Sequence, residues 1–170
     1  MAAVKTRWMV RRDMAEVLSI ESKSFETPWC EPDFLGMLRK QDTIGIVADS
    51  GDAVVGFAIY RLRKDRVVIE NIAVHPDWRS MGVGTMLVDK LKGKLKPQHR
   101  TAVELFVPEL ADYAIRFFAK RGFRAQSVGE SGDGISVYLM RYEIPELSIS
   151  ELADQLLASV FSSETRNCDS

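Results

Sequence analysis

The chain is 170 residues long, room for one domain with a sizeable core and too little for two ordinary ones. Its 23 Lys and Arg against 24 Asp and Glu leave a formal charge of −1, which argues against a protein held on nucleic acid by phosphate contacts. Hydrophobic residues at 46% and charged residues at 28% exclude a disordered chain, and no apolar run nears the roughly 20 residues that a membrane-spanning helix needs. Residues 1–13 carry basic side chains without an apolar stretch behind them, so no secretory signal is expected. Cys30 and Cys168 are too few for a metal site and stand far apart. They are expected as two reduced thiols in a cytoplasmic protein, a monomer or homodimer with no membrane or nucleic-acid partner.

Residues 7–10 read as a short first strand. Asp13 offers an N-cap carboxylate with Glu16 in the capping-box position, and Met14, Val17 and Leu18 carry a helix to about Ser24. Pro32 fits the first turn of a second short helix bearing Phe34, Leu35 and Leu38. The β-branched run 44–48, the turn Ser50-Gly51-Asp52 and the run 54–62 predict a hairpin. Lys64-Asp65 turns the chain into 66–74, an apolar strand expected at the sheet centre and covered on both faces. A glycine-bearing loop then opens a helix over 83–95, with Met86, Leu87 and Leu91 at helical spacing. Residues 101–107 form a strand, 113–120 a helix closed by Gly122, and 123–128 and 135–142 two last strands. The order is β-α-α-β-β-β-α-β-α-β-β, a mixed α/β domain over residues 1–145 with a central sheet of six or seven strands. Residues 146–170 stand apart: Ser148 and Glu151 form a capping box, and Ile149, Leu152, Leu156, Val160 and Phe161 repeat as an amphipathic helix. That segment has five acids and one arginine, which leaves the preceding domain net basic.

The stretch from Ile69 to Leu87 is the richest in chemistry. A strand ends at Val74, His75-Pro76-Asp77-Trp78 makes a loop, and Arg79-Ser80-Met81-Gly82-Val83-Gly84-Thr85 opens a helix. Glycines admit a ligand close to the backbone, and unpaired N–H groups at a helix N-terminus point toward an anion. Arg79 adds a charge. Neither a third glycine nor a Gly-Lys-Ser/Thr follows, so the pattern is neither a dinucleotide fingerprint nor a Walker loop. Alone, the hexapeptide from Arg79 to Gly84 also reads as a tight strand-to-helix turn.

In context, Ile72-Ala73-Val74-His75-Pro76-Asp77-Trp78-Arg79-Ser80-Met81-Gly82-Val83-Gly84 closely resembles the acetyl-CoA-binding motif of GCN5-related N-acetyltransferases (GNAT). The resemblance covers residues 6–142. It implies that the two strands flanking this helix splay to admit the pantetheine arm, that main-chain groups of Ile72, Ala73 and Val74 bond that arm, and that Arg79 and the amides from Ser80 to Thr85 hold the pyrophosphate. Ile20-Glu21, Ser24-Phe25, Pro28-Trp29 and Phe34, with Phe117-Phe118 and Arg121-Gly122-Phe123, resemble the ribosomal-protein-alanine and other N-terminal acetyltransferases within that family. There the loop between the first two helices walls the peptide site, which makes Phe25 and Trp29 candidate substrate contacts; packing in the core is the other reading of both.

The implied reaction is attack of a free amine on the thioester of acetyl-CoA. An α-amino group titrates near about 8 and lysine near about 10.4, so an N-terminal amine needs only a weak base. The backbone N–H of Val74 is the implied oxyanion donor. The sequence departs from the family at three positions. Phe118 stands where the thiolate-protonating tyrosine is usual, Phe106 where the glutamate base is usual, and Ala111 where an asparagine contacts the cofactor. Glu26, Glu70 and Tyr138 are the replacement candidates, with Tyr113 as a second hydroxyl; each also reads as an ordinary surface or half-buried side chain. Glu104 reads as a solvent-facing acid, His75 as a capping or surface histidine, Cys30 as a small core residue, and the Arg61, Arg63, Lys64, Arg66 cluster as a solvated hairpin tip. No metal is implied. The acceptor is expected to be a peptide or protein N-terminus, with a small-molecule amine or a non-catalytic acyl-CoA-binding module as rivals.

Overall fold

In a computed structural model, which describes residues 3–145 and Asp154, the chain forms seven strands and four helices. They are β1 (Lys5–Trp8), α1 (Met14–Ser22), α2 (Glu31–Leu38), β2 (Thr43–Asp49), β3 (Val54–Leu62), β4 (Arg66–Val74), α3 (Val83–Lys92), β5 (Ala102–Pro108), α4 (Asp112–Ala119), β6 (Arg124–Glu130) and β7 (Ser136–Glu143). Apart from Asp154, the residues of the expected amphipathic helix over 146–170, Cys168 among them, lie outside the described ones.

One sheet runs in the order β1-β2-β3-β4-β5-β7-β6. Only β4 and β5 are parallel, since α3 carries the chain back between them. Helices cover both faces. Met14, Val17, Ile20 and Phe34 of α1 and α2 pack on Val47, Phe57 and Ile59. Val83, Leu87, Val88 and Leu91 of α3, with Phe118 of α4, pack on Ile46, Ala58, Tyr60 and Ile69. Each buried Val, Leu, Ile, Phe or Met among them stabilises the fold by roughly 1.5–3 kcal/mol through removal of apolar surface from water.

The register of β4 against β3 contains the feature that shapes the site. Tyr60 faces Ile69 and Ile59 faces Asn71, so Glu70 is an extra residue without a cross-strand partner. Because of this bulge Val67 and Ile69 join the α3 core while Ala73 joins the α1 core, although strict alternation would place all three on one side. On its other edge β4 pairs with β5 from Arg66↔Ala102 to Ile69↔Leu105 and no further. The ladder stops where the bulge bends the strand.

Several local expectations are corrected. The first strand is Lys5–Trp8, two residues earlier than read, because residues 11–13 coil into a 3-10 turn. Asp13 does not cap α1 with its side chain. Its carboxylate accepts from Val10 N–H at 2.8 Å and takes both arms of Arg7 at 2.8 and 2.9 Å, while Glu16 accepts from Val54 N–H at 3.3 Å. Cys30 is exposed at the N-cap of α2, its thiol 2.9 Å from Asp33 Oδ2, and is not a core residue. Glu104 does not face solvent freely: its side chain is 12% exposed and pairs with Arg66 at 2.9 Å and with Arg141. The β3–β4 hairpin tip is solvated as read, with Arg63 and Lys64 exposed, and its arginines also form surface pairs, Arg61 and Arg63 with Asp42 at 3.0 and 3.2 Å and Arg66 with Asp65 at 2.7 Å.

Candidate active site

Past Ile69 and Leu105 the two parallel strands separate and enclose a cleft of about 780 Å³. One wall is the free edge of β4 from Glu70 to Val74, another is Phe106 to Pro108 of β5, and α4 supplies Ala114, Phe117 and Phe118. Strand chemistry fixes what β4 offers. His75 N–H bonds the Val55 carbonyl at 2.9 Å, so residues 71, 73 and 75 form the hydrogen-bonded pairs with β3. Ile72 and Val74 belong to the alternate pairs, and their main-chain N–H and C=O groups point away from β3 toward the departed β5. Ala73, expected to present its main chain to the ligand, instead has its backbone groups in the ladder opposite Phe57 and lines the cleft only from the strand.

The loop after β4 makes the cleft's anionic end. Pro76–Trp78 forms a 3-10 turn capped by His75, whose Nδ1 accepts from Asp77 N–H at 3.3 Å, in keeping with the capping role read from sequence. Ser80 and Gly82 then both take left-handed backbone, with φ of 62° and 85°. A Cβ on Gly82 would meet nothing within 4 Å. Among the described residues no acceptor meets the amides from Ser80 to Thr85, which open α3 with the positive end of its dipole. Gly84 is different: a Cβ there would lie 2.9 Å from the Phe117 ring, so this glycine lets α3 and α4 approach. Arg116, Lys120 and Arg121 also line the cleft, and Arg121 reaches Thr85 at this end. Arg121 is fixed by the Phe117 carbonyl at 2.7 Å and by Thr85 Oγ, with its guanidinium 3.5 Å over the Phe117 ring.

Arg79 is bound rather than loose. Its Nε donates to the Val74 carbonyl at 3.1 Å and its Nη2 to Ser24 Oγ at 3.0 Å, which joins the end of β4 to the α1–α2 loop. Three further N–H groups of its fork have no partner among the described residues. Lys23 Nζ lies 3.1 Å from His75 Nε2, a second link between the same two loops. Beneath them Glu21 is buried; it accepts from Trp29 N–H at 2.9 Å and Asn71 Nδ2 at 3.1 Å, and burial raises its pKa above the usual carboxylate range despite both bonds. This pair ties α1, the α1–α2 loop and β4 into one unit. It was missed from the sequence, although an asparagine, Asn71, inside a mostly apolar strand was the signal available.

The candidate residues fall in different places. Glu70 lines the cleft and is 3.6 Å from Arg61 Nη1. Phe25 lines it too, 42% exposed, as do Phe106, Ala111, Tyr113 and the buried Phe118. Glu26 and Tyr138 are not on the cleft wall; Tyr138 donates its hydroxyl to Glu109 at 3.2 Å. Trp29 packs edge-on against Phe34 at 5.2 Å in the α1 core, the packing alternative. Met81 is exposed and Val83 is buried, so any contact they make with an anion is through their amides. Among the described residues no group of His, Cys, Asp and Glu is arranged to hold a metal.

A parted strand pair ending in free amides and arginines is a receptacle for a long anionic thioester, and residues 12–123 match the sequence pattern of the acetyltransferase (GNAT) family. The chain belongs to the GNAT family. It is an acetyl-CoA-dependent N-acetyltransferase. A ribosomal protein bS18-alanine N-acetyltransferase of Salmonella typhimurium is 27% identical over 116 residues, 68% of this GNAT chain and 78% of that protein. An L-2,4-diaminobutyric acid acetyltransferase of Nocardia farcinica is 32% identical over 115 residues, 66% of this chain but only 55% of that longer protein. Ard1 from Thermoplasma volcanium superposes with a TM-score of 0.75 at 26% identity, over 85% of this chain and 99% of that one. The ribosomal-protein-S18-alanine N-acetyltransferase from Escherichia coli gives 0.74 at 21% identity, over 86% and 97%, and shares the fold.

Proposed function

We propose that this GNAT enzyme acetylates the α-amino group of a protein N-terminus, in the cytoplasm. The observation that carries the reading is that Ser24 and Phe25 of the α1–α2 loop share one cleft with Glu70 and the free edge of β4. The donor's thioester is thereby offered beside a loop able to wall a peptide, and the Salmonella relative, whose name gives an alanine of a ribosomal protein as its acceptor, supports the choice.

The residues fit acetyl-CoA: the open space at Gly82, the unpaired amides and the arginines suit a pyrophosphate, and the edge of β4 suits the amides of a pantetheine arm. When bound, it supplies an electrophilic carbonyl and a thiolate leaving group. Val74 N–H then donates to the carbonyl oxygen as negative charge grows there. Glu70, held by Arg61, accepts the proton that the attacking amine loses, directly or through one water. Tyr113, the one phenol on the cleft wall among the described residues, gives its proton to the departing sulfur, in place of the hydroxyl that Phe118 lacks. One C–N bond forms, one C–S bond breaks, and the products are the amide and free CoA.

A small-amine acceptor is the second reading, favoured by the diaminobutyrate-acetylating relative. Free-thiol release from acetyl-CoA, measured against short peptides with free and blocked N-termini and against diamines, separates the two. Turnover on free peptide N-termini supports the first; turnover confined to small amines overturns it.

A further inference from the structure

The inner face of α1 buries Met14, Val17, Ile20 and Glu21, three apolar side chains and one carboxylate. Packing alone does not call for the fourth. A carboxylate costs free energy to take out of water unless donors replace the water, and an apolar side chain would fill the same place. What Glu21 touches supplies the reason. Its main-chain carbonyl accepts from Ser24 N–H at 2.9 Å and from Phe25 N–H at 3.1 Å. Its Oε1 accepts from Trp29 N–H at 2.9 Å and its Oε2 from Asn71 Nδ2 at 3.1 Å. Both ends of the stretch 24–29 are therefore fastened to one residue, and that residue also holds β4 at the position after the unpaired Glu70.

Ser24 and Phe25 form one wall of the cleft and the run from Glu70 to Val74 another, and the gap between them is the space through which an amine reaches the thioester. Two other links join these walls, Arg79 to Ser24 and Lys23 to His75, and both are exposed, so water competes for their donors. The bond between Glu21 and Asn71 is buried and escapes that competition. Glu21 is not itself on the cleft wall, so whatever it does for acetyl transfer it does through the groups it holds.

We propose that Glu21 is the positioning residue of the acceptor site: through Trp29 and Asn71 its side chain sets the distance between the α1–α2 loop and the edge of β4, and with it the approach of the amine to the thioester carbonyl. This rests on the acceptor entering between those two walls, as read above, and holds for a peptide and for a diamine alike.

The test compares Glu21→Ala with Glu21→Gln in the full chain. Glutamine keeps an oxygen for Trp29 N–H and offers an N–H to Asn71 once that amide is turned; alanine offers neither. The acceptor is whichever amine the parent acetylates, so turnover confined to diamines would overturn the peptide reading and leave this test intact. Misplacement by about 1 Å can cost about a hundredfold, so Glu21→Ala should raise the acceptor KM and lower kcat/KM for the acceptor by about ten- to a hundredfold. The Kd for CoA by calorimetry should stay within about threefold of the parent's, and Glu21→Gln should stay within about threefold throughout. In hydrogen exchange of the free protein the Trp29 amide should lose protection in Glu21→Ala and keep it in Glu21→Gln. Asn71→Ala leaves every bond of the loop in place and should show the same acceptor-selective loss with the Trp29 amide still protected, which carries the test if Glu21→Ala does not fold. A fall in kcat at unchanged acceptor KM, an equal weakening of CoA, a Glu21→Gln as impaired as Glu21→Ala, or acceptor kinetics in Asn71→Ala like the parent's would each overturn the proposal.

Discussion

Gly82→Ala separates a ligand cradle from a simple turn. The backbone at Gly82 has φ of 85°, where an L-residue costs roughly 1–2 kcal/mol, offset by about 0.4–1 kcal/mol because alanine restricts the unfolded chain. Since a Cβ would touch nothing within 4 Å, no steric term is added, and thermal unfolding should fall by only about 2–4 °C. The same methyl enters the open space beside the Ser80–Thr85 amides, which have no acceptor among the described residues, and would stand in the way of an anion approaching them. Displacing an anionic ligand from one such amide loses about 1.5–3 kcal/mol, a rise of about 10- to 150-fold in the Kd for CoA by calorimetry. Gly84→Ala is the contrast: its Cβ lies 2.9 Å from the Phe117 ring, so overpacking by about 1–3 kcal/mol should dominate and unfolding should fall further. If Gly82→Ala binds CoA as tightly as the parent while melting slightly lower, the loop is a turn and the cradle argument is wrong.

Glu70→Gln should lower kcat by about a hundredfold with little change in KM for acetyl-CoA, and an unchanged kcat would remove Glu70 from the chemistry. Phe25→Ala should raise KM for a peptide acceptor and leave that for acetyl-CoA alone; steady-state kinetics with each substrate varied will show which moves. Asp13→Asn breaks a nearly buried pair with Arg7 and should cost about 3 kcal/mol in urea unfolding at neutral pH. Arg7 holds the Asp13 pKa below the usual carboxylate range, so its contribution is present above that range and lost as pH falls through the folded value. The variant should therefore show a flatter loss of stability in acid. Glu21 has the opposite sign: burial raises its pKa, so its contribution is full below the ordinary glutamate value and lost as pH climbs past the raised one. Glu21→Gln, with Asn71 turned to accept, should gain stability relative to the parent as pH rises from about 4 to 8, and parallel curves would refute the assignment.

Elements with strong periodicity were legible in the sequence. The hairpins, the α3 stripe of Leu87 and Leu91 and the capping glycine at Gly122, whose φ is 85°, all follow from local rules. The cofactor-loop motif was legible too, because its backbone conformation depends on residues close in sequence. What stayed hidden depends on register and on distant partners. Nothing local distinguishes Glu70 as an unpaired residue, since a bulge exists only in relation to β3. Arg79 looks like a free phosphate ligand until the α1–α2 loop brings Ser24 to it. Trp29 reads as a wall of the acceptor site until Phe34 turns out to lie against its ring. Asp13 read as a helix cap because its spacing to Glu16 was right; Arg7, six residues earlier but on a strand, competes for it more strongly.

The interruption at Glu70 has a consequence for how such a cleft is gained or lost. Removing that residue would leave Ile69, Asn71, Ile72 and Ala73 each on the face it now occupies, but in unbroken alternation. No exchange of one amino acid for another can do the same, because the opening arises from a surplus of backbone and not from a side chain. Deletion of codon 70 should let the parallel ladder zip onward past Leu105 and yield a well-folded, inert protein, which makes the enzyme's mouth a matter of chain length, one residue long.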